Sequence, residues 1–272
     1  MSDTVDEAIR ELAETPDRFT LLSRDVERYD DGRVCVVQGA TWASVSAVRV
    51  AEEEVPSLVE TVRELVTPEK WTDWCVGPTS QPPDLVEQLR ALGFRNPEDG
   101  VTRLQAVACV RPPESAPPGI GVRRVDAYDD YVRAMELLWE TFDAPEARRE
   151  AGRRHLRATF EAGGPTTFLA EVDGHPAGVG RAVDSERGSF LIAGAVLPWA
   201  RGRGVYRALV RARWDDAVAR GAPALVTHAV PDTSYPILKR LGFVDVCELQ
   251  RLEDPRPEAA DQPARAGTRP SS

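Results

Sequence analysis

The sequence predicts an α/β (α+β) fold. Short apolar runs of strand length alternate with helical stripes along the 272 residues. One apolar run, Phe190-Leu191-Ile192-Ala193-Gly194-Ala195-Val196, stops at Pro198 and leads through Arg201-Gly202-Arg203-Gly204 into the stripe Val205, Ala208, Leu209, Ala212. The ending Leu-Gly-Phe occurs at 92–94 and again at 241–243, each time after a helical stripe and before a strand.

In chain order, 4–24 reads as helix, with Val5, Ile9 and Leu12 on one face. Strands are expected at 34–37 and 43–50, and a helix at 56–66 with Pro56 in its first turn. A strand at 71–76 leads through a turn segment, 77–83, to a helix at 84–92 that Gly93 closes, and then to a strand at 102–110. Residues 111–121, rich in proline and glycine, read as a linker and as the best domain boundary. A short strand follows at 122–125, then a helix opened by Asp126 or Tyr128 and running to about 142. Asp143 is expected to cap the next helix, with Pro145 in its first turn, to about 162. Asp173-Gly174 is a hairpin turn between strands 167–172 and 177–183. After the central strand come a helix to 220, a strand at 224–228, a helix at 232–241 and a last strand at 243–252. From 253 the chain loses apolar periodicity, and a disordered tail is expected over 254–272.

Several functions are excluded early. The net charge of -10 argues against a general nucleic-acid binder. No apolar run has the length of a membrane span. The acidic start, Met-Ser-Asp-Thr-Val-Asp-Glu, lacks the apolar core of a secretory signal, and a cytoplasmic protein is expected from the cysteine usage. The 4 cysteines, Cys35, Cys75, Cys109 and Cys247, match no zinc spacing and lie in apolar runs, as buried thiols do. His155, His175 and His228 are scattered, so no metal site is expected.

The strand, basic glycine turn and helix start suggest a receptor for a phosphate-bearing ligand. Glycines let the backbone approach, a helix start offers free N–H groups and a positive dipole end, and the arginines add charge. A Walker loop would need Gly-Lys-Ser or Gly-Lys-Thr, and a dinucleotide fingerprint would need a small residue where Arg207 stands.

The stretch resembles the acyl-CoA loop of the GNAT N-acetyltransferases. That pattern is Arg or Gln, two residues, Gly, one residue, then Gly or Ala, preceded by Val-x-Pro. Here it reads Val196-Leu197-Pro198, then Arg201-Gly202-Arg203-Gly204-Val205-Tyr206, with Tyr206 in place of the small residue. The order of elements over 121–252 is also the GNAT order, though the family usually ends in two strands and here there is room for one. The resemblance implies a mixed, mostly antiparallel sheet flanked by helices and a GNAT domain at 121–253. It implies acetyl-CoA as cosubstrate and a small-molecule or protein amine as acceptor. Ala195, Val196, Leu197, Arg201, Gly202, Arg203, Gly204, Val205, Tyr206 and Ser234 would hold acetyl-CoA, with backbone N–H near Val196 polarising the thioester.

The first half, 1–111, looks like a worn copy of the same unit, joined by the linker 112–120, so two GNAT-like units in tandem are expected. Where the second half has its glycine loop, the first has Ala51-Glu52-Glu53-Glu54, whose carboxylates would repel phosphate. Direct acetyl transfer needs a base for the ammonium and an acid for the departing sulfur. Many relatives carry a tyrosine acid where this chain has Leu238. Tyr235, one helical turn earlier, could serve only by another route, and a packing role explains it better. Base candidates are His228, at the end of its strand beside the expected cleft, and Glu140 or Asp143 in the loop between the first two helices of this half, although Asp143 is already explained as a cap. A CoA-binding or scaffold protein without turnover is the competing reading.

Overall fold

A computed structural model describes residues 5–68 and 70–255. The helix start expected at residue 4 and the tail beyond 255 lie outside the described residues. The first half contains α1 (Glu7–Glu14), β1 (Glu27–Asp30), β2 (Cys35–Gln38), β3 (Trp42–Ser46), α2 (Val55–Leu65), β4 (Trp71–Val76), α3 (Leu85–Ala91) and β5 (Arg103–Cys109). The second contains β6 (Ile120–Arg124), α4 (Tyr128–Thr141), α5 (Glu146–Glu161), β7 (Thr166–Val172), β8 (His175–Ser185), β9 (Gly188–Val196), α6 (Val205–Ala219), β10 (Leu225–Ala229), α7 (Ser234–Arg240) and β11 (Val244–Glu253).

Several local expectations change. The first helix is short: the Asp6 side chain caps it by accepting from Ile9 N–H at 2.8 Å, and it ends at Glu14 because Pro16 cannot extend its hydrogen bonds. β3 ends at Ser46, since Ala47 takes a left-handed φ of 54°. The sequence reading had no strand at β1, whose Glu-Arg-Tyr-Asp shows no apolar alternation; it forms by pairing with β2 at the sheet edge. Asp143 does not cap α5. It is the left-handed residue that ends α4, at φ 48°, and the cap position of α5 is taken by Pro145.

All strands join one sheet of 11, in the order β1-β2-β3-β4-β11-β5-β10-β9-β8-β7-β6. Only β3–β4 and β9–β10 pair in parallel; the other neighbours are antiparallel. The two parallel pairs mark equivalent places in the two halves. Each is followed by a short helix, α3 or α7, and then by a strand that crosses over. β5 lies between β10 and β11, and β11 lies between β4 and β5. This exchange explains the missing strand of the second half, because β5 occupies that place.

The repeated Leu-Gly-Phe endings have the same geometry. Gly93 and Gly242 have φ of 93° and 90°. Phe94 N–H donates to Leu89 at 3.0 Å, and Phe243 N–H to Leu238 at 3.1 Å. A left-handed glycine stops each helix, and the aromatic that follows turns into the core. Phe94 meets Trp74 edge-on, with ring centroids 5.2 Å apart.

Helices cover both faces. Leu249 and Leu252, three apart on β11, point to opposite faces, one against α1 and the other against α2. α2 and α3 cover β2–β4, and α6 with α7 covers β7–β10 on the same side. α1, α4 and α5 cover the other. The chain past α1 ties to the second half: Leu21 N–H donates to Asp184, and Arg24 N–H to Ala162 at 3.0 Å. Asp254, expected in the tail, is buried, with its carboxylate on Arg63 of α2 at 2.9 Å. No helix among the described residues is long and apolar enough to cross a membrane.

Candidate active site

The site begins where β9 and β10 part. Their parallel pairing holds at Leu225–Ser189 and Val226–Phe190 and then stops. A bulge in β9 contributes: Arg181 faces Ala193, but the next pair is Ala182–Leu191, so Ile192 is the extra residue and stands exposed. Arg213 of α6 sits beneath this point. It is fully buried, and its guanidinium donates to the carbonyls of Leu209, Arg181 and Ala193 at 3.0, 3.3 and 3.3 Å, clamping the strands around the bulge.

Beyond the bulge, Leu197 N–H donates to Ala177 on β8 at 2.9 Å. By strand alternation the N–H groups of Val196 and Gly194 then point away from β8, into the gap left by β10. Ala195 faces α4. Gly194 is small for a reason: a Cβ there would stand 2.6 Å from the Tyr206 ring. The bulky Tyr206, which departs from the loop pattern, is thus housed by a glycine on the facing strand.

The loop itself fits an anion. Gly202 and Gly204 have φ of 73° and 86°, and Gly204 is the N-cap of α6 without a side-chain cap. Among the described residues, the N–H groups of 202–207 have no acceptor, although the neighbouring Arg201 and Ala208 N–H groups bond to Pro198 and Gly204. This is a row of free donors at a positive helix end, the arrangement that holds phosphate. Arg201 Nε donates to Val196 at 3.2 Å, and Arg203 reaches Asp173 at 3.4 Å, with both side chains open to solvent.

The other candidates fall in different places. His228 lies at the parting of the strands, half-buried, on the face of Phe190 and α1. Its Nε2 donates to the Ala13 carbonyl at 2.8 Å, and its ring meets Phe190 edge-on. Burial lowers its pKa below the ordinary value, against a smaller opposing effect of the Ala13 bond, so the ring is neutral near pH 7 with Nδ1 as its basic nitrogen. Glu140 is exposed on the last turn of α4. Tyr235 packs at the rim of the α7 core, and the Asp245 carboxylate beside its hydroxyl pushes its pKa up. Ser234 is the first residue of α7 rather than its cap, and its hydroxyl accepts from Val230 N–H at 2.8 Å. Leu238 is buried in the core cluster that also holds Leu225, Ala229 and Phe243. The sequence reading missed Arg181 and Arg213, because an arginine inside a strand or helix looks like any solvated charge until its neighbours are known. Burial raises the pKa of the Cys109 thiol to about 11 and those of Cys35 and Cys247 to about 12, so these thiols stay protonated. No group of three or more metal-ligating side chains occurs among the described residues.

In the first half the corresponding place is built differently, around an open cavity of about 560 Å³ lined by Arg49, Gly77, Thr79 and Gln81. Gln81 returns to bridge Arg49, its N–H donating to Val48 at 2.9 Å. The Glu14 carboxylate accepts from Thr79 N–H at 2.8 Å, and a Cβ on Gly77 would stand 2.5 Å from it. At the helix start, Glu54 accepts from Ala51 N–H at 3.0 Å, using a donor that an anion would need.

The model of the acetyltransferase (GNAT) family matches residues 131–243, so the second half of the chain carries a domain of the GNAT class. A GCN5-related N-acetyltransferase from Kribbella flavida is similar in fold, with a TM-score of 0.64 at 17% identity over 93% of this chain and 96% of that one. A tandem GNAT protein from the clavulanic acid biosynthesis pathway has a TM-score of 0.58 at 15% identity, covering 95% and 90%. A functionally unknown protein from Staphylococcus epidermidis has a TM-score of 0.60 at 13% identity, covering 86% and 95%. No curated protein matches the sequence significantly.

Proposed function

We propose that the chain transfers the acetyl group of acetyl-CoA directly to a primary amine. The observation that carries this reading is the row of free N–H groups at 202–207 beside the gap between β9 and β10. The pyrophosphate of CoA would lie on that row, flanked by Arg201 and Arg203. The pantetheine arm would run along β9 past Ala195, Val196 and Leu197, with Val196 or Gly194 N–H polarising the thioester carbonyl, as a preorganised donor does. The acceptor amine must lose a proton before it attacks. His228 is the residue best placed to take it, through Nδ1, because its neutral ring stands at the parting of the strands. Glu140 is the second candidate. Tyr235, turned toward Asp245, is a packing residue in this reading, and the departing thiolate takes its proton from water. We read 1–111 and 121–253 as two GNAT-like units joined by 112–120, of which only the second binds CoA.

The test pairs two measurements. Calorimetry should show acetyl-CoA binding that Arg203→Glu weakens by about tenfold or more, the worth of a charge-assisted phosphate contact. Thiol release from acetyl-CoA in the presence of an amine panel then shows turnover. Binding without thiol release from any amine favours the CoA-binding scaffold, a reading helped by the buried Leu238. No binding at all rejects both.

A further inference from the structure

The chain has an excess of carboxylates, 44 Asp and Glu against 34 Lys and Arg, and its partly buried arginines generally use them. Arg251 reaches Asp73 and Asp99 at 2.6 and 3.0 Å, and Arg63 reaches Asp254 at 2.9 Å. Arg213, without a carboxylate, has three backbone carbonyls instead. Arg181 has neither. Its Nε is fully buried and bonds to nothing, and no nitrogen of its guanidinium has a partner among the described residues. Burial pushes its pKa down, opposed only by the Tyr131 phenol, yet a guanidinium stays charged.

The position of this cation is informative. Arg181 lies on β8 opposite Ala193, at the bulge where β9 turns away from β10. By alternation its side chain shares the face of Val179, which packs against α4, and of Phe190 and His228. The CoA loop and α6 are on the other face. Asp25, whose charge acts on Tyr131, accepts from Ser23 and Thr159, Asp17 accepts from Ser44 and Ser46, and Glu11 pairs with Arg187; none of them pairs with Arg181. An unpaired cation half-sunk in an apolar wall costs stability unless a ligand completes it.

We infer that Arg181 is a specificity residue that binds a carboxylate on the acceptor, making the substrate an amine that also carries a carboxylate. The planar fork of a guanidinium matches the two oxygens of that group. A carboxylate held at Arg181 would leave the amine of the same molecule free to reach the parting of β9 and β10, on the side of His228. This inference rests on the acetyltransferase reading for its reaction, but not for its binding step.

The experiment uses the full chain in three arms. Acetyl-CoA calorimetry on wild type and Arg181→Met comes first; equal affinities are expected, and loss of binding in wild type would reject the acetyltransferase reading, not this one. Next, amino acids are offered as free acids and as their amides. Any amine used should be used at least tenfold better as the acid, through KM. Arg181→Met should reduce that preference to less than twofold, and Arg181→Lys should restore part of it. The third arm needs no turnover: acetate, titrated against chloride at constant ionic strength, should raise the melting temperature of wild type and not of Arg181→Met. The unliganded variant should melt no lower than wild type, because it loses an unpaired buried cation. Equal use of acids and amides, or no acetate effect on wild type, overturns the inference. A variant that melts lower and responds to acetate as wild type does makes Arg181 structural and also overturns it.

Discussion

Pro117 stands over Gly204: a Cβ on that glycine would lie 2.5 Å from the Pro117 ring. The linker therefore crosses the start of α6. It is held there by Arg207 on Glu114 at 2.6 Å and by Arg211 donating to the Pro113 carbonyl at 3.0 Å. Glu114 brings a negative charge to the edge of the row of free donors, and it occupies an arginine one turn into the helix. Glu114→Gln should raise CoA affinity a few-fold at low salt, in line with the modest worth of an exposed ion pair. The gain should fade as salt screens the charge, which calorimetry at two ionic strengths would reveal.

The acidic helix start of the first half predicts one CoA per chain. Gln81 bridges Arg49 and Glu14 accepts from Thr79 at the place that β9 and β10 leave open in the second half, and the helix start carries Glu52, Glu53 and Glu54. Glu53→Arg should change neither stoichiometry nor affinity. A titration endpoint of two ligands per chain would contradict this account.

His228 gives a pH signature. Its folded-state pKa lies below that of the unfolded chain, so its contribution to stability is complete above about pH 6.5 and is lost as pH falls through the lower, folded-state value. His228→Gln, which keeps a donor for Ala13, should flatten that part of the stability profile. If Nδ1 is the base, the same substitution should lower kcat by about a hundredfold or more with CoA affinity intact. A drop of less than about fivefold would move the role to Glu140 or water.

The exchange of β5 and β11 predicts that neither half survives alone. Residues 116–255 lack the strand that pairs with both β10 and β11. Expressed alone, this piece should be unfolded or aggregated, with unpaired strand edges, as judged by circular dichroism and gel filtration. A soluble, folded fragment that binds acetyl-CoA would show that β5 is dispensable.

Much of this was legible because local chemistry dictated it. Pro198, the paired glycines and the apolar stripe after them fix strand, loop and helix whatever surrounds them, and Leu-Gly-Phe at 92–94 and 241–243 gave away the repeat. What stayed hidden depends on partners far along the chain. Nothing in Glu27-Arg28-Tyr29-Asp30 marks a strand, and nothing in 103–109 tells that it inserts between two strands of the other half. The tyrosine at 206 looked like a flaw in the loop until Gly194 was found opposite it. His228 could be placed at a strand end from sequence, but its hydrogen bond to Ala13, 215 residues away, could not.

The crossing strands also set an order of events during synthesis. A chain usually folds its first domain while the second is still being made. Here β4 and β5 have a gap between them that only Val244–Glu253 fills, so the first half must wait on the ribosome with open edges. Every truncated product of translation that stops short of β11 would then carry two unfinished sheets rather than one complete domain. Such a gene could not lose its second half and keep a folded first half, so the two halves are bound to persist together.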